Sequence, residues 1–297
     1  MRFSSQLKER WMHRLFLVIA AGSIAVLLVI CLFLFGEGLP IFRLVSVQDF
    51  VFGKLWYPTA EPPDFGIFPL IVGSFAVTLL SAMLAVPLGV MTAVYLAEIA
   101  HPRVRDIIKP VVELLAAMPS VVIGFFGMVI VAPFLQNMFD IATGLNLFNA
   151  ALMLAFMSIP TICSISEDAI YSVPNNLKEA SLALGANHWE TIVRVILPAA
   201  VSGISTAVIL GMSRAIGETM VVLMVAGGAA MIPGSLFDPV RPLPASIAAE
   251  MAEAPFRGDH YHALFATGMV LFVFTLCFNL IADHIAHKYR QVGDATL

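Results

Sequence analysis

The chain has 297 residues, of which 60% are hydrophobic and only 12% charged, with a mean hydropathy of +0.92. Soluble domains carry about 25% charged residues, so a water-soluble globular protein is excluded and an integral membrane protein is indicated. The net charge of −4 offers no basic surface for nucleic acid.

In chain order, residues 1–14 form a charged N-terminal segment, and the first uncharged run is Leu15–Phe35. A bilayer core takes about 20 helical residues, whereas a cleaved signal peptide has an apolar region of about 7–15. The run therefore predicts a retained membrane helix. Residues 36–64 follow as a segment outside the bilayer, with LWYP at 55–58 and EPPD at 61–64. Its Trp56 and Tyr57 suit a membrane interface, and its prolines argue against a helix there.

The run Phe65–Ala97 is too long for one upright span and too short for two. It predicts a single tilted helix ending at Glu98, with Pro87 as a kink. A third span is predicted over Leu114–Phe139 with a kink at Pro119, and a fourth over Ile141–Ser166 with a kink at Pro160. Asn137 and Asp140 mark the turn between them, which Asn146 can extend. The fifth runs from near Ala199 to about Ala230, through Arg214 and Glu218, and the sixth is Ala263–Ala282. The expected fold class is thus an all-α membrane protein with six transmembrane helices. Residues 65–285 form a five-helix core behind the first span, and 286–297 form a tail. No internal repeat or separate soluble domain is evident.

Lysine and arginine distribution orients the spans. With the N-terminus inside, the inner segments hold Arg2, Lys8, Arg10, Arg14, Arg103, Arg105, Lys109, Lys178, Arg194, Lys288 and Arg290. The outer segments hold only Arg43, Lys54, Arg241 and Arg257. Both termini are therefore expected in the cytoplasm, and 36–64 in the periplasm. Cys31, Cys163 and Cys277 lie scattered in apolar runs and read as packing residues. Asp259, His260 and His262 are weak grounds for a metal site and read, like His284 and His287, as boundary residues.

The inner segment 174–198 reads PNNLKEASLALGANHWETIVRVILP. Asn175 or Asn176 can cap a short helix, along which Leu177, Ala180, Ser181 and Leu184 recur on one face. Gly185 is its expected stop, with positive φ. Asn187 with Glu190 has the spacing of a capping box, and Trp189, Ile192, Val193 and Ile196 then form a second stripe up to Pro198. Two short amphipathic helices with an elbow at glycine are expected. They could lie on lipid, but the small-sided first helix suits a protein groove better.

Glu179, Ala180 and Ser181, then Gly185, then Leu197 and Pro198 match the pattern E-A-A-x3-G-x9-I-x-L-P, with Ser181 for the second alanine and Val195 for the isoleucine. This resembles the coupling loop of the permease subunits of ABC importers. AAMPSVVIGFFG (116–127), GMSRAIGETM (211–220) and the stretch from SLF (235–237) to HYHALFATGMVLF (260–272) resemble phosphate importer permeases. FGIFPLIVGSFAVT (65–78) and GETM (217–220) are more similar to the PstC type than to its sister PstA. The resemblance covers roughly residues 50–285. It implies a multi-pass subunit of the bacterial inner membrane whose loop 174–198 docks on an ATPase. The implied partners are a PstA-type permease, a dimer of the ATP-binding subunit and a periplasmic phosphate-binding protein, with inorganic phosphate as substrate. No G-x4-G-K-[ST] motif occurs, so ATP and magnesium belong to the partner, this chain binds no cofactor, and it is not itself an enzyme.

Arg214 and Glu218 stand out because an arginine at a helix centre costs at least about 2.5–3.5 kcal/mol on insertion scales. Gly203, Ala207, Gly211 and Ala215 form a small-residue stripe fit for close helix packing, and Arg214 and Glu218 are expected along that packed side, within ion-pair reach of each other. The residues alone leave two readings open, a structural salt bridge or an anion site whose guanidinium fork grips phosphate oxygens. The resemblance favours the second and puts both on the substrate path. Another oxyanion such as sulfate or molybdate remains an alternative. An ion-coupled secondary transporter would need inverted repeats, and an intramembrane enzyme a nucleophile and base or a metal set; neither is evident.

Overall fold

Long apolar runs can satisfy their backbone groups inside a bilayer only as helices, and the runs found above fold that way. The computed structural model describes residues 2–294. Six of its helical segments are long and apolar enough to cross a membrane: Glu9–Arg43, Phe68–Ile99, Ser120–Phe139, Leu147–Tyr171, His188–Ile216 and Asp259–Ile281. Hereafter these are spans one to six.

Span one belongs to α1 (Arg2–Gly38), which is exposed throughout residues 9–30 and leaves the rest of the molecule free until its C-terminal end. There Phe33 and Phe35 meet Phe265 and Phe272 of the last helix edge-on, at 5.5 and 6.3 Å. The segment after it is a folded cap. A helix does form in it, α2 (Val47–Phe52), but upstream of Pro58, Pro62 and Pro63, and Ser46 caps it by accepting from the Asp49 amide at 3.0 Å. Two short antiparallel strands follow, β1 (Trp56–Tyr57) and β2 (Asp64–Phe65). Trp56 corrects the interfacial reading, because it is 3% exposed and sits in a core with Ile41, Phe50, Phe65 and Leu243. Tyr57 beside it is exposed.

Span two is α3 (Phe68–Val94), which continues through Pro87 without a break and ends in one wide π turn, Tyr95–Ile99. The third predicted span began too early. Residues 102–116 form a separate amphipathic helix, α4 (Pro102–Ala116), none of whose side chains is fully buried. Pro119 breaks the chain rather than kinking it, standing just ahead of α5 (Ser120–Phe126). A helical residue before proline is disfavoured, which accounts for the interruption at 117–119. A π turn (Gly127–Val131) joins α5 to α6 (Ala132–Phe139), which ends at Asp140 with φ 51°.

Span four, α7 (Leu147–Tyr171), starts six residues later than predicted because Asn146 is its N-cap, accepting from the Asn149 amide at 2.9 Å. It runs unbroken through Pro160. After α8 (Asn175–Ala183) and the single turn α9 (His188–Thr191), a third π turn (Ile192–Ile196) leads straight into α10 (Leu197–Ile216). The second arm of the loop is thus the base of span five, not a separate helix ending at Pro198. Pro198 lies inside this continuous segment, directly after the π turn, whose irregular hydrogen bonding leaves room for its missing N–H. Span five also ends earlier than Ala230. It stops at Gly217, and α11 (Met220–Val225), an irregular return, α12 (Leu243–Glu250) and α13 (Asp259–Asp294) complete the chain.

The core is the trio α3, α7 and α10. Ile162 of α7, fully buried, wedges between glycines of both neighbours. A Cβ on Gly89 would lie 2.9 Å from its Cγ2, and one on Gly211 2.5 Å from its Cγ1. The predicted stripe Gly203, Ala207, Gly211, Ala215 is therefore a contact seam, with Ala207, Gly211 and Ala215 buried. Cys163 is buried, Cys31 is half-buried and Cys277 is exposed on span six, so the packing reading fails for Cys277.

Candidate functional site

The loop between spans four and five is built as an outward-facing element. Asn175 opens α8 without a side-chain cap, contrary to expectation, and Gly185 turns the chain with φ +91°. Asn187 and Glu190 form the predicted capping box, at 2.8 and 2.9 Å. No side chain of α8 is buried, and Leu184 at its tip is 89% exposed. Glu179 and Ala180 are exposed with it, while Ser181 faces inward and its hydroxyl meets that of buried Thr191 at 2.9 Å. Of the second stripe, Ile192 and Ile196 pack inside and Trp189 and Val193 stay open; Leu197 is half-buried and Pro198 exposed. A short helix that presents leucines and small residues to the outside fits a groove on another protein.

At the same end of the molecule lies a charge cluster that sequence reasoning missed. Glu167 of α7 is 1% exposed. It receives Arg105 at 2.9 Å and Lys109 at 3.3 Å, both from α4, and Lys109 also reaches Asp168 at 3.2 Å. Burial alone lowers the Lys109 pKa, but the hydrogen bond and charge of Asp168, together with Glu167, more than offset this and raise it above 10.5. The ammonium is therefore held charged, and its contribution is present below the unfolded value of 10.5 and lost only as pH rises past the folded one. The sequence held half of the signal, since Arg105 and Lys109 are four apart on one helix face, but nothing local ties them to Glu167, 62 positions from Arg105.

Arg214 and Glu218 are close in sequence but not paired. No ion pair within 4.0 Å joins them, and Arg214 is exposed while its neighbour Ala215 packs into the seam. The expected placement of both on the packed side is therefore corrected for Arg214, which stands one position round the helix from it. Glu218 is half-buried past the end of α10, where Gly217 has stopped the helix. Its Oε1 accepts from the amides of Met220 and Val221, at 3.1 and 3.3 Å, and so caps α11. Ser74, Thr78 and Ser81 of α3 line the seam beside Ala215 and Glu218, and Ser81 Oγ has no partner among the described residues. The arrangement sets the Arg214 guanidinium, unpaired among the described residues, at the edge of a hydroxyl-lined helix seam.

The opposite end carries a second network. Glu250 of α12 accepts from Trp56 Nε1 at 3.0 Å and His260 Nε2 at 2.8 Å, and Arg241 pairs with it closely. Beside it opens a recess of about 510 Å³ lined by Tyr57, Arg241, Glu253 and His260. His262 binds the Glu37 carbonyl at 2.7 Å. Both histidines thus tie the cap to the core, and among the described residues no group of three or more ligands could hold a metal.

Residues 85–291 match the family described as binding-protein-dependent transport system inner membrane component. The chain belongs to that family. The matched range holds the loop, Arg214, Glu218 and Glu250. Among curated relatives, the chain is 39% identical to the probable ABC transporter permease protein YqgH of Bacillus subtilis, over 92% of this chain and 88% of that one. It is 37% identical to the phosphate transport system permease protein PstC of Mesorhizobium japonicum, over 80% and 77%. Among solved structures, the bacterial alginate ABC transporter aligns over 99% of both chains with a TM-score of 0.67 at 16% identity. The MetNI methionine transporter aligns over 75% of this chain and 94% of that one with a TM-score of 0.56 at 19% identity. Both share the fold. As a member of this family the chain is a transport component of the inner membrane rather than an enzyme, and it works with an ATPase and a substrate-binding protein.

Proposed function

We propose that the chain is the PstC-type permease subunit of an ATP-driven phosphate importer, forming the translocation path with a homologous PstA-type permease. The observation that carries this reading is Arg214. A guanidinium on an exposed face of a membrane helix, without an acidic partner among the described residues, must meet protein or water rather than lipid. A path shared with a second permease supplies both, and phosphate oxygens match the guanidinium fork. Relatives named for phosphate transport support the choice of anion. Glu218, occupied at the start of α11, holds the break that ends span five next to Arg214 and keeps the arginine from being neutralised. Phosphate would cross by exchanging water for the guanidinium and neighbouring hydroxyls. ATP and magnesium act in the partner ATPase, and this chain contributes no bond-making group.

The experiment is reconstitution of the complete complex in vesicles and measurement of ATP-dependent uptake of labelled phosphate, with sulfate and molybdate as competitors. Uptake suppressed by excess phosphate but not by the other two is expected. Suppression by sulfate or molybdate at equal concentration would reassign the substrate.

The loop end is taken to face the cytoplasm, where it meets the ATPase. A reporter fused after Asp140 is expected outside and one after Asn187 inside; the reverse pattern would remove α8 from the ATPase. Gly185→Val provides a second check. The φ of +91° suits glycine and strains valine, although a side chain there would meet open space. Membrane insertion is expected to persist, with ATPase association weakened roughly tenfold, the scale of a strain of 1–3 kcal/mol at such a position. Unchanged association and uptake would show that the elbow does not matter.

A further inference from the structure

α8 has almost nothing to hold it. With no buried side chain, its attachment to the body rests on polar links from two residues. Ser181 meets Thr191 across the elbow, and Lys178 forms a close ion pair with Glu98, eighty positions earlier in the chain. Glu98 lies in the π turn that ends span two, and its side chain is only 6% exposed. The same residue is also gripped from the other side of the elbow: its backbone carbonyl lies 3.3 Å from His188 Nε2, at the foot of span five. Both arms of the loop thus converge on one residue of span two.

We propose that Glu98 is the joint through which movement of α8 is delivered to span two, with Lys178 as its positioning partner. The inference rests on the reading that α8 docks on the ATPase. A helix hung on glycine would swing about Gly185 when pushed. The Lys178–Glu98 pair removes that freedom and makes α8, span two and the base of span five move together. An extra residue in a π turn sets its neighbours apart from the regular helix surface, and such turns recur at functional positions. From Glu98 the push runs along α3 to Gly89, through Ile162 of α7 to Gly211, one turn before Arg214. A buried carboxylate that served stability alone would need no partner on a helix otherwise so loosely attached.

The test uses the complete complex in vesicles with Glu98→Gln, Lys178→Met and the exchanged pair Glu98→Lys with Lys178→Glu. Complex yield, ATP hydrolysis stimulated by the binding protein, and phosphate uptake are read for each. The single variants are expected to keep the ATPase bound and hydrolysing, while phosphate taken up per ATP falls roughly tenfold, the scale of one lost charge-assisted hydrogen bond. The exchanged pair is expected to restore most of that ratio. A wild-type ratio in the single variants overturns the proposal. So does a loss confined to complex yield that the exchange leaves unrepaired. Leu184→Asp separates the parent reading, since it should release the ATPase if α8 docks there. Retained ATPase binding and uptake in Leu184→Asp would remove the docking reading itself, whereas release of the ATPase alongside normal coupling in Glu98→Gln would remove the joint alone.

Discussion

Arg214→Ala and Arg214→Gln are expected to lower phosphate uptake by at least about 100-fold, the loss of a two-pronged hydrogen bond to a charged group, while the complex assembles at normal yield. Assembly should survive because the side chain is exposed and makes no ion pair among the described residues. Arg214→Lys keeps the charge and loses the fork, so it should retain a small fraction of uptake if geometry matters and most of it if charge alone suffices. Uptake near the wild-type level in Arg214→Gln would take Arg214 off the path.

The position of Glu218 sharpens this test. Had the two charges formed a salt bridge, removing one would strand the other, and removing both would relieve the cost. The geometry instead gives Glu218 the amides of Met220 and Val221. Glu218→Gln keeps an acceptor there and should lower stability by no more than about 1 kcal/mol, the scale of a cap. Effects of Arg214→Gln and Glu218→Gln on yield are therefore expected to add within about 0.5 kcal/mol. A double change that restores what either single change removed would show a pairing formed only in the assembled complex.

Much of this architecture was legible, and the failures share a cause. Run length and hydropathy report how much chain lies in lipid, so all six spans were found, but they do not see backbone breaks that cost no polarity. The interruption at 117–119 is apolar, and the stop at Gly217 is followed by Glu218 and then more apolar chain, so span boundaries slipped at both. The π turn at Ile192–Ile196 let span five begin before Pro198, where proline seemed to close a helix. The loop was readable because glycine, capping residues and spacing are local signals, and φ at Gly185 came out positive as they required. Small residues every four positions identified the seam, but that pattern says nothing of its edges, and Arg214 proved to lie beyond one. Glu167 and Glu250 were missed because their partners come from other helices: Arg105 is 62 positions from Glu167, and Trp56 is 194 from Glu250. Trp56 in particular carried an interfacial composition signal while its actual environment was an apolar core and a half-buried carboxylate.

The seam itself supports the largest expected effect on stability. Gly211→Leu would thrust a branched side chain into Ile162, whose Cγ1 already lies 2.5 Å from where a Cβ would begin. Ile162 cannot withdraw, because Gly89 of α3 receives it on the other side at 2.9 Å. Overpacking of this kind costs about 1–3 kcal/mol and more where neighbours are fixed. In a membrane the two helices have no hydrophobic gain to offset it, since lipid is as apolar as leucine. Gly211→Leu is therefore expected to lower the thermal midpoint of the purified complex by several degrees and to reduce its yield. Ile162→Ala alone should also destabilise, by leaving a cavity. Combined, the two changes exchange volumes across one contact, and the pair should be more stable than either single variant by about 1 kcal/mol or more. Strict additivity would mean that α7 and α10 separate easily at this level. In that case the seam could not carry a displacement from span two to Arg214, and uptake in the double variant should match that of the wild type once yields are equalised.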